Sequence, residues 1–173
     1  MVNKDIYGYQ ARITTSFIEI PSVISTAIYL TGCSFNCPEC QNKELQNILY
    51  GKKTSVQEIL NIINENTLAK WVCFLGGEPF YQSEFLFELC KKIEKPIGIY
   101  TGNEFGIVND KYKNIIDLPN IKFLKTGRYD LNLIKQNEFP ITSNQNVYLK
   151  INNQWKICPE RTIENITKYI QSL

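Results

Sequence analysis

The chain has 173 residues, enough for one domain with its own core, and its 43% hydrophobic and 21% charged residues are the ordinary balance of a globular protein. Its formal net charge of +2 is too small an excess to point to a nucleic-acid or anionic-membrane surface. Histidine is absent, which excludes a Ser-His-Asp triad, a Cys-His pair and histidine-ligated zinc, and so favours a cofactor for any difficult chemistry.

The first residues carry no basic start followed by an apolar stretch, and no apolar run is long enough to span a bilayer. The expectation is a cytoplasmic protein without membrane contact. Short apolar runs alternate with amphipathic stretches, which predicts βα units in a single α/β domain over residues 1–173. In chain order, strands are predicted at 24–30, 71–75, 97–100, 121–124 and 147–151. Several are apolar throughout, as parallel strands buried on both faces would be. Ser55 and Glu58 form a capping box, so a helix should start there with Val56, Ile59, Leu60 and Ile63 on one face. A second helix is predicted from about Ser83, with Leu86, Leu89, Cys90 and Ile93 inward. A last one is predicted from about Arg161, with Ile163, Ile166 and Ile170 inward.

In parallel α/β folds the carboxyl edge of the strands carries the site. Three unusual loops should meet there: a cysteine loop after the first predicted strand, Gly76-Gly77-Glu78-Pro79 after the second, and Thr101-Gly102 after the third. The cysteine loop reads Cys33-x3-Cys37-x2-Cys40. Three thiolates within eight residues can hold three irons of a cubane and leave the fourth iron open to S-adenosylmethionine (SAM). A structural zinc site, with Cys37 and Cys40 as half of it, is the competing reading, although a clear second pair is missing. Cys73 and Cys90 fall on apolar faces and read as core residues, while Cys158 is ambiguous. Gly76 and Gly77 let a ligand approach backbone carbonyls, and Glu78 can add charge assistance toward an ammonium group. A tight strand-to-helix turn is the alternative.

These motifs resemble the radical SAM superfamily, and within it the activating proteins of anaerobic ribonucleoside-triphosphate reductase. The likeness extends from Thr15–Pro21 through Cys40-Gln41-Asn42-Lys43-Glu44, Ile99–Gly102 and Lys125–Tyr129 to Thr142-Ser143-Asn144-Gln145. It implies a partial, open (βα) barrel. It also implies a [4Fe-4S] cluster on Cys33, Cys37 and Cys40, with Gly76, Gly77 and Glu78 at the SAM amino group and Thr101 and Gly102 lining its pocket. SAM cleavage would yield a 5′-deoxyadenosyl radical that takes hydrogen from a glycine of the large reductase subunit. An electron donor such as flavodoxin or ferredoxin is implied too.

The sequence departs from the family pattern at Glu39, where many members have an aromatic residue, at Gln41, where many have histidine, and at Pro21-Ser22. A small-molecule enzyme such as a 7-carboxy-7-deazaguanine synthase and a zinc-binding interaction module are the alternatives, along with activases of pyruvate formate-lyase type, which are usually longer. Lys125 and Arg128 are candidates for SAM's carboxylate or an acidic partner surface. Asn144 and Gln145 are candidates for a substrate loop or for a local turn. Phe80 and Tyr81 are expected to pack in the core or against the cofactor.

Overall fold

The computed structural model describes residues 5–171 and 173. Among them, eight strands form one open sheet: β1 (Tyr7–Ser16), β2 (Ser25–Leu30), β3 (Lys52–Ser55), β4 (Trp71–Gly76), β5 (Ile97–Tyr100), β6 (Ile121–Thr126), β7 (Asn146–Ile151) and β8 (Gln154–Ile157), in the spatial order β3-β1-β2-β4-β5-β6-β7-β8. The four central strands β2, β4, β5 and β6 run parallel. The outer pairings, including β6 with β7, are antiparallel. Helices α1 (Val56–Glu65), α2 (Ser83–Lys92), α3 (Phe105–Lys111), α4 (Lys113–Ile116) and α5 (Ile163–Ile170) complete the fold.

The parallel centre follows from the apolar runs. All six residues of β2 are buried, and so are the first five of β4. On one face Ile28, Leu30, Val72, Phe74, Ile97 and Ile99 pack beneath α1 and α2. On the other, Ala27, Tyr29, Cys73, Leu75, Phe123 and Leu149 pack with Ile20, Ile166 and Ile170. Ile20 is fully buried and comes from the β1–β2 loop. A Cβ on Gly98 would lie 2.6 Å from Ile20 Cδ1, so the loop reaches the inner face of the sheet itself. Glu19 fastens it there: the Tyr29 hydroxyl donates to its carboxylate at 2.6 Å, and the Tyr100 hydroxyl donates to its backbone carbonyl.

The α1 capping box forms in full, with Glu58 N–H donating to Ser55 Oγ at 3.2 Å and Ser55 N–H donating to Glu58 Oε2 at 2.7 Å. Three expectations need correction. The strand predicted at 147–151 is antiparallel, because the 127–145 segment before it supplies no crossover helix. Ile163 is 56% exposed, since helical periodicity does not say how far along α5 the sheet extends. Ile93 is buried but stands just past α2 as its C-cap. No helix among the described residues is long and apolar enough to cross a membrane.

Candidate functional site

The cysteine loop begins where β2 leaves the sheet. Thr31 is fully buried, and its hydroxyl donates to the Ile48 carbonyl at 2.9 Å. Gly32 N–H donates to Leu45 O at 2.8 Å and Cys33 N–H to Gln46 O at 3.0 Å. The 42–50 segment thus holds the loop's first residues by backbone bonds. Gly32 (φ 89°), Asn36 (φ 46°) and Glu39 (φ 53°) take left-handed conformations, which turn the chain sharply just before the first cysteine and between successive cysteines. Cys33, Cys37 and Cys40 are free, half-buried thiols.

The strand after next brings the glycine loop against this one. Gly77 N–H donates to Leu30 O and Glu78 N–H to Gly32 O, both at 2.8 Å. Gly77 lies so close that an added Cβ would stand 2.5 Å from Gly32 O and 2.8 Å from Leu45 O. Gly76 needs φ 114° and would place a Cβ 2.5 Å from Leu30 O. Both glycines are therefore required by close backbone packing between two loops. The third loop closes the arrangement. Glu78 accepts from Gly102 N–H at 2.8 Å, from Phe80 N–H at 3.0 Å and from the Thr101 hydroxyl, which reaches both carboxylate oxygens at 2.9 and 3.0 Å. Phe35 of the cysteine loop rests on Gly102, where a Cβ would meet its ring at 2.5 Å.

Glu78 is only 4% exposed. Burial raises its carboxyl from 4.5 to about 7, against the lowering effect of the Gly102 and Phe80 amides and the Thr101 hydroxyl. Burial also raises the Cys33 thiol, opposed by a backbone hydrogen bond at Phe35 and reinforced by Glu78, Cys37 and Cys40. Fold and sequence thus agree in bringing Cys33, Gly76, Gly77, Glu78, Thr101 and Gly102 to one edge of the sheet.

The three thiols share one loop, but among the described residues no three Cys, Asp or Glu side chains are already gathered at metal-ligating distance. The donor set nonetheless suits an iron–sulfur cluster: three soft sulfurs on a tightly turned loop that carries no competing histidine or disulfide. The Gln46 side-chain nitrogen, on the residue whose carbonyl holds Cys33, is buried without an acceptor.

The other candidates divide between the core and the flank of the cysteine loop. Cys73 and Cys90 are fully buried, as expected of core thiols, and Cys158 is 9% exposed. Lys125 turns toward the inner face, 4.5 Å from the Tyr100 ring and 5.9 Å from the Phe139 ring. Burial there lowers its ammonium to about 8, with Cys73 and Glu19 acting in the opposite direction. Arg128 lies over the Phe35 ring at 4.7 Å. Asn144 and Gln145 make loop-to-backbone bonds, donating to Arg128 O at 2.8 Å and Gly127 O at 3.0 Å. Phe80 is buried and stacks on Tyr112, whereas Tyr81 is exposed and flanks Gly32.

Sequence reasoning missed Gln82. Its amide bonds both backbone groups of Tyr9 at 2.7 Å and the Thr31 carbonyl at 2.8 Å, tying β1 to the root of the cysteine loop. A lone glutamine after a glycine loop gives no periodic signal. Its role emerges only once β1 lies beside it.

Residues 23–148 match the family model described as a 4Fe-4S single cluster domain. A Methanocaldococcus jannaschii protein provisionally named as a glycyl-radical enzyme activating enzyme is 27% identical over 90% of this chain and 72% of its own length. The pyruvate formate-lyase-activating enzyme of Clostridium pasteurianum is 31% identical over 62% of this chain, which spans only 47% of that enzyme. The anaerobic ribonucleoside-triphosphate reductase-activating protein of Escherichia coli is 24% identical over 54% of this chain and 68% of its own. Among solved structures, QueE from Escherichia coli superimposes with a TM-score of 0.44 at 20% identity, over 56% of this chain and 53% of that one. Matched from just before β2 into β7, the chain belongs to the 4Fe-4S single cluster domain family and, with it, to the radical SAM superfamily.

Proposed function

We propose that this chain is a radical SAM activase that generates a glycyl radical on an anaerobic ribonucleoside-triphosphate reductase. The observation that carries the reading is the Glu78 junction, where one residue joins three loops. Its amide holds the cysteine loop through Gly32 O, and its carboxylate holds Thr101 and Gly102. The names of the relatives support the choice of a glycyl-radical enzyme as partner, and the reductase among them comes from the activating protein of Escherichia coli.

Cys33, Cys37 and Cys40 would hold a [4Fe-4S] cluster, which supplies one electron for reductive cleavage of bound SAM. Gly76 and Gly77 leave backbone carbonyls at the edge of β4 where no side chain intervenes, a place for an ammonium group. Glu78 fixes those carbonyls against the cysteine loop while remaining itself almost wholly enclosed. Thr101 and Gly102 form the facing wall, kept in place by the Glu78 carboxylate and by Phe35. A glycine-bearing loop of the partner would close over this edge and exclude water. An electron donor of flavodoxin or ferredoxin type would supply the electron.

Electron paramagnetic resonance of the anaerobically reconstituted, dithionite-reduced protein tests the reading. The expected result is a reduced [4Fe-4S] signal that changes when SAM is added, followed by a glycyl radical on the reductase after mixing. Bound zinc with no iron signal would refute it.

A further inference from the structure

The groove beside the cysteine loop has a wall fixed from a distance. A cavity of about 460 Å³ lies between that loop and the segment after β6, lined by Phe35, Cys37, Arg128, Asn132 and Asn144 among others. Its far wall is irregular backbone, which does not hold its shape without hydrogen-bond partners. Asn144 completes that wall, and the 138–145 segment that carries it is bonded by Arg161, just ahead of α5. Its Nε donates to Glu138 at 2.7 Å. Nη1 donates to the carbonyls of Ser143 (3.1 Å) and Gln145 (2.7 Å), and Nη2 to those of Pro140 (2.9 Å) and Thr142. A guanidinium has five N–H donors, and here five acceptors take them. The backbone carbonyl of Arg161 also accepts from Phe139 N–H at 2.8 Å.

The loop so gathered reaches the groove through two side chains. Gln145, itself held by the Thr142 hydroxyl at 2.8 Å, donates to Gly127 O. Asn144 donates to Arg128 O, and Arg128 lies over Phe35, which rests on Gly102. A continuous set of contacts thus runs from Arg161 to the cysteine loop.

We propose that Arg161 is a positioning residue that sets the groove wall at Arg128, acting through Asn144 and Gln145, and thereby tunes SAM binding at the neighbouring site. The SAM part rests on the functional reading above; the clamp does not. Three variants separate the two: Arg161→Lys keeps a cation for Glu138 but cannot serve four carbonyls, Asn144→Ala cuts only the link to Arg128, and Glu138→Gln removes the ion pair and leaves the carbonyl bonds.

The test uses the anaerobically reconstituted 173-residue chain, read by amide hydrogen exchange and by titrating the reduced-cluster resonance signal with SAM. Arg161→Lys should speed exchange at residues 127–129 and 141–146 and raise the SAM midpoint about tenfold, a change of about 1.4 kcal/mol. Asn144→Ala should raise the midpoint while leaving exchange at 141–143 as in the parent. Glu138→Gln should leave the midpoint unchanged, although stability falls. Parental exchange at 127–129 in Arg161→Lys overturns the clamp. A midpoint that follows thermal stability across all three variants overturns the positioning role. A parent protein that ignores SAM overturns the functional reading, and the exchange data then decide the clamp alone.

Discussion

Among the described residues Glu78 is a buried carboxylate with three hydrogen-bond donors and no cation in contact, so burial dominates its titration. Its folded value of about 7 stands above the ordinary 4.5. The folded state therefore holds the proton across that interval while the unfolded chain releases it. This contribution to stability is fully present below pH 4.5 and is lost as pH rises through about 7, with a span of about 3 kcal/mol. Urea unfolding of the metal-free protein between pH 4.5 and 8 should show this decline, and Glu78→Gln should flatten it. A slope of the same size in both proteins would assign the titration to another group. The place of Glu78 after two glycines suggested charge assistance toward an ammonium group, and the family resemblance made that group the SAM amino group. The sequence did not reveal that the same carboxylate would be spanned by Thr101 and Gly102, because those residues lie a whole βα unit away.

The elements that carry the site differ in how strictly their sequence is set. At the end of β4, Gly77 meets two backbone carbonyls, which cannot rotate away as a side chain would. Gly77→Ala should cost about 1–3 kcal/mol through forced separation of the loops, and should abolish the SAM-induced change in the cluster signal. Ser55→Ala, at the capping box of α1, should cost about 1 kcal/mol and leave that change intact. Paired urea titrations and resonance spectra of the two variants check both statements. The central strands were legible because burial on both faces leaves a continuous apolar run, as in β2 and β4. β1 was not: Tyr7–Ser16 mixes polar and apolar residues, and it is recognisable as a strand only by pairing with β2 and β3. α3 and α4 escaped for a related reason, since seven and four residues are too few for a periodic face.

Across the whole molecule, the two faces of the sheet are stabilised by different parts of the chain. α1 and α2 cover one face from within the βα repeats, while the other relies on Ile20 from the β1–β2 loop and on α5 at the far end of the chain. Ile166 is fully buried in that second face. Ile166→Ala should therefore cost about 2–5 kcal/mol, measurable as a shift in the urea midpoint. It should also loosen the segment that begins at Arg161, so the groove beside Cys37 should exchange faster as well. The sequence supplied the βα order and the convergence of three loops on one edge. It could not supply the long-range contacts, such as Arg161 with residues 140–145, because nothing local in a loop records which distant donor will satisfy its carbonyls.

The sheet stays open, and its last strands on either side are only four residues long. β3 begins with Lys52 and Lys53, both exposed, and β8 carries an exposed Lys156. An unclosed sheet offers its rims as templates on which further copies can add strand by strand, and short, lysine-bearing rims resist that growth. Replacing these lysines with threonine or valine would remove the charge that opposes stacking of copies. The penalty would fall on colloidal behaviour at high concentration, with the cysteine loop untouched.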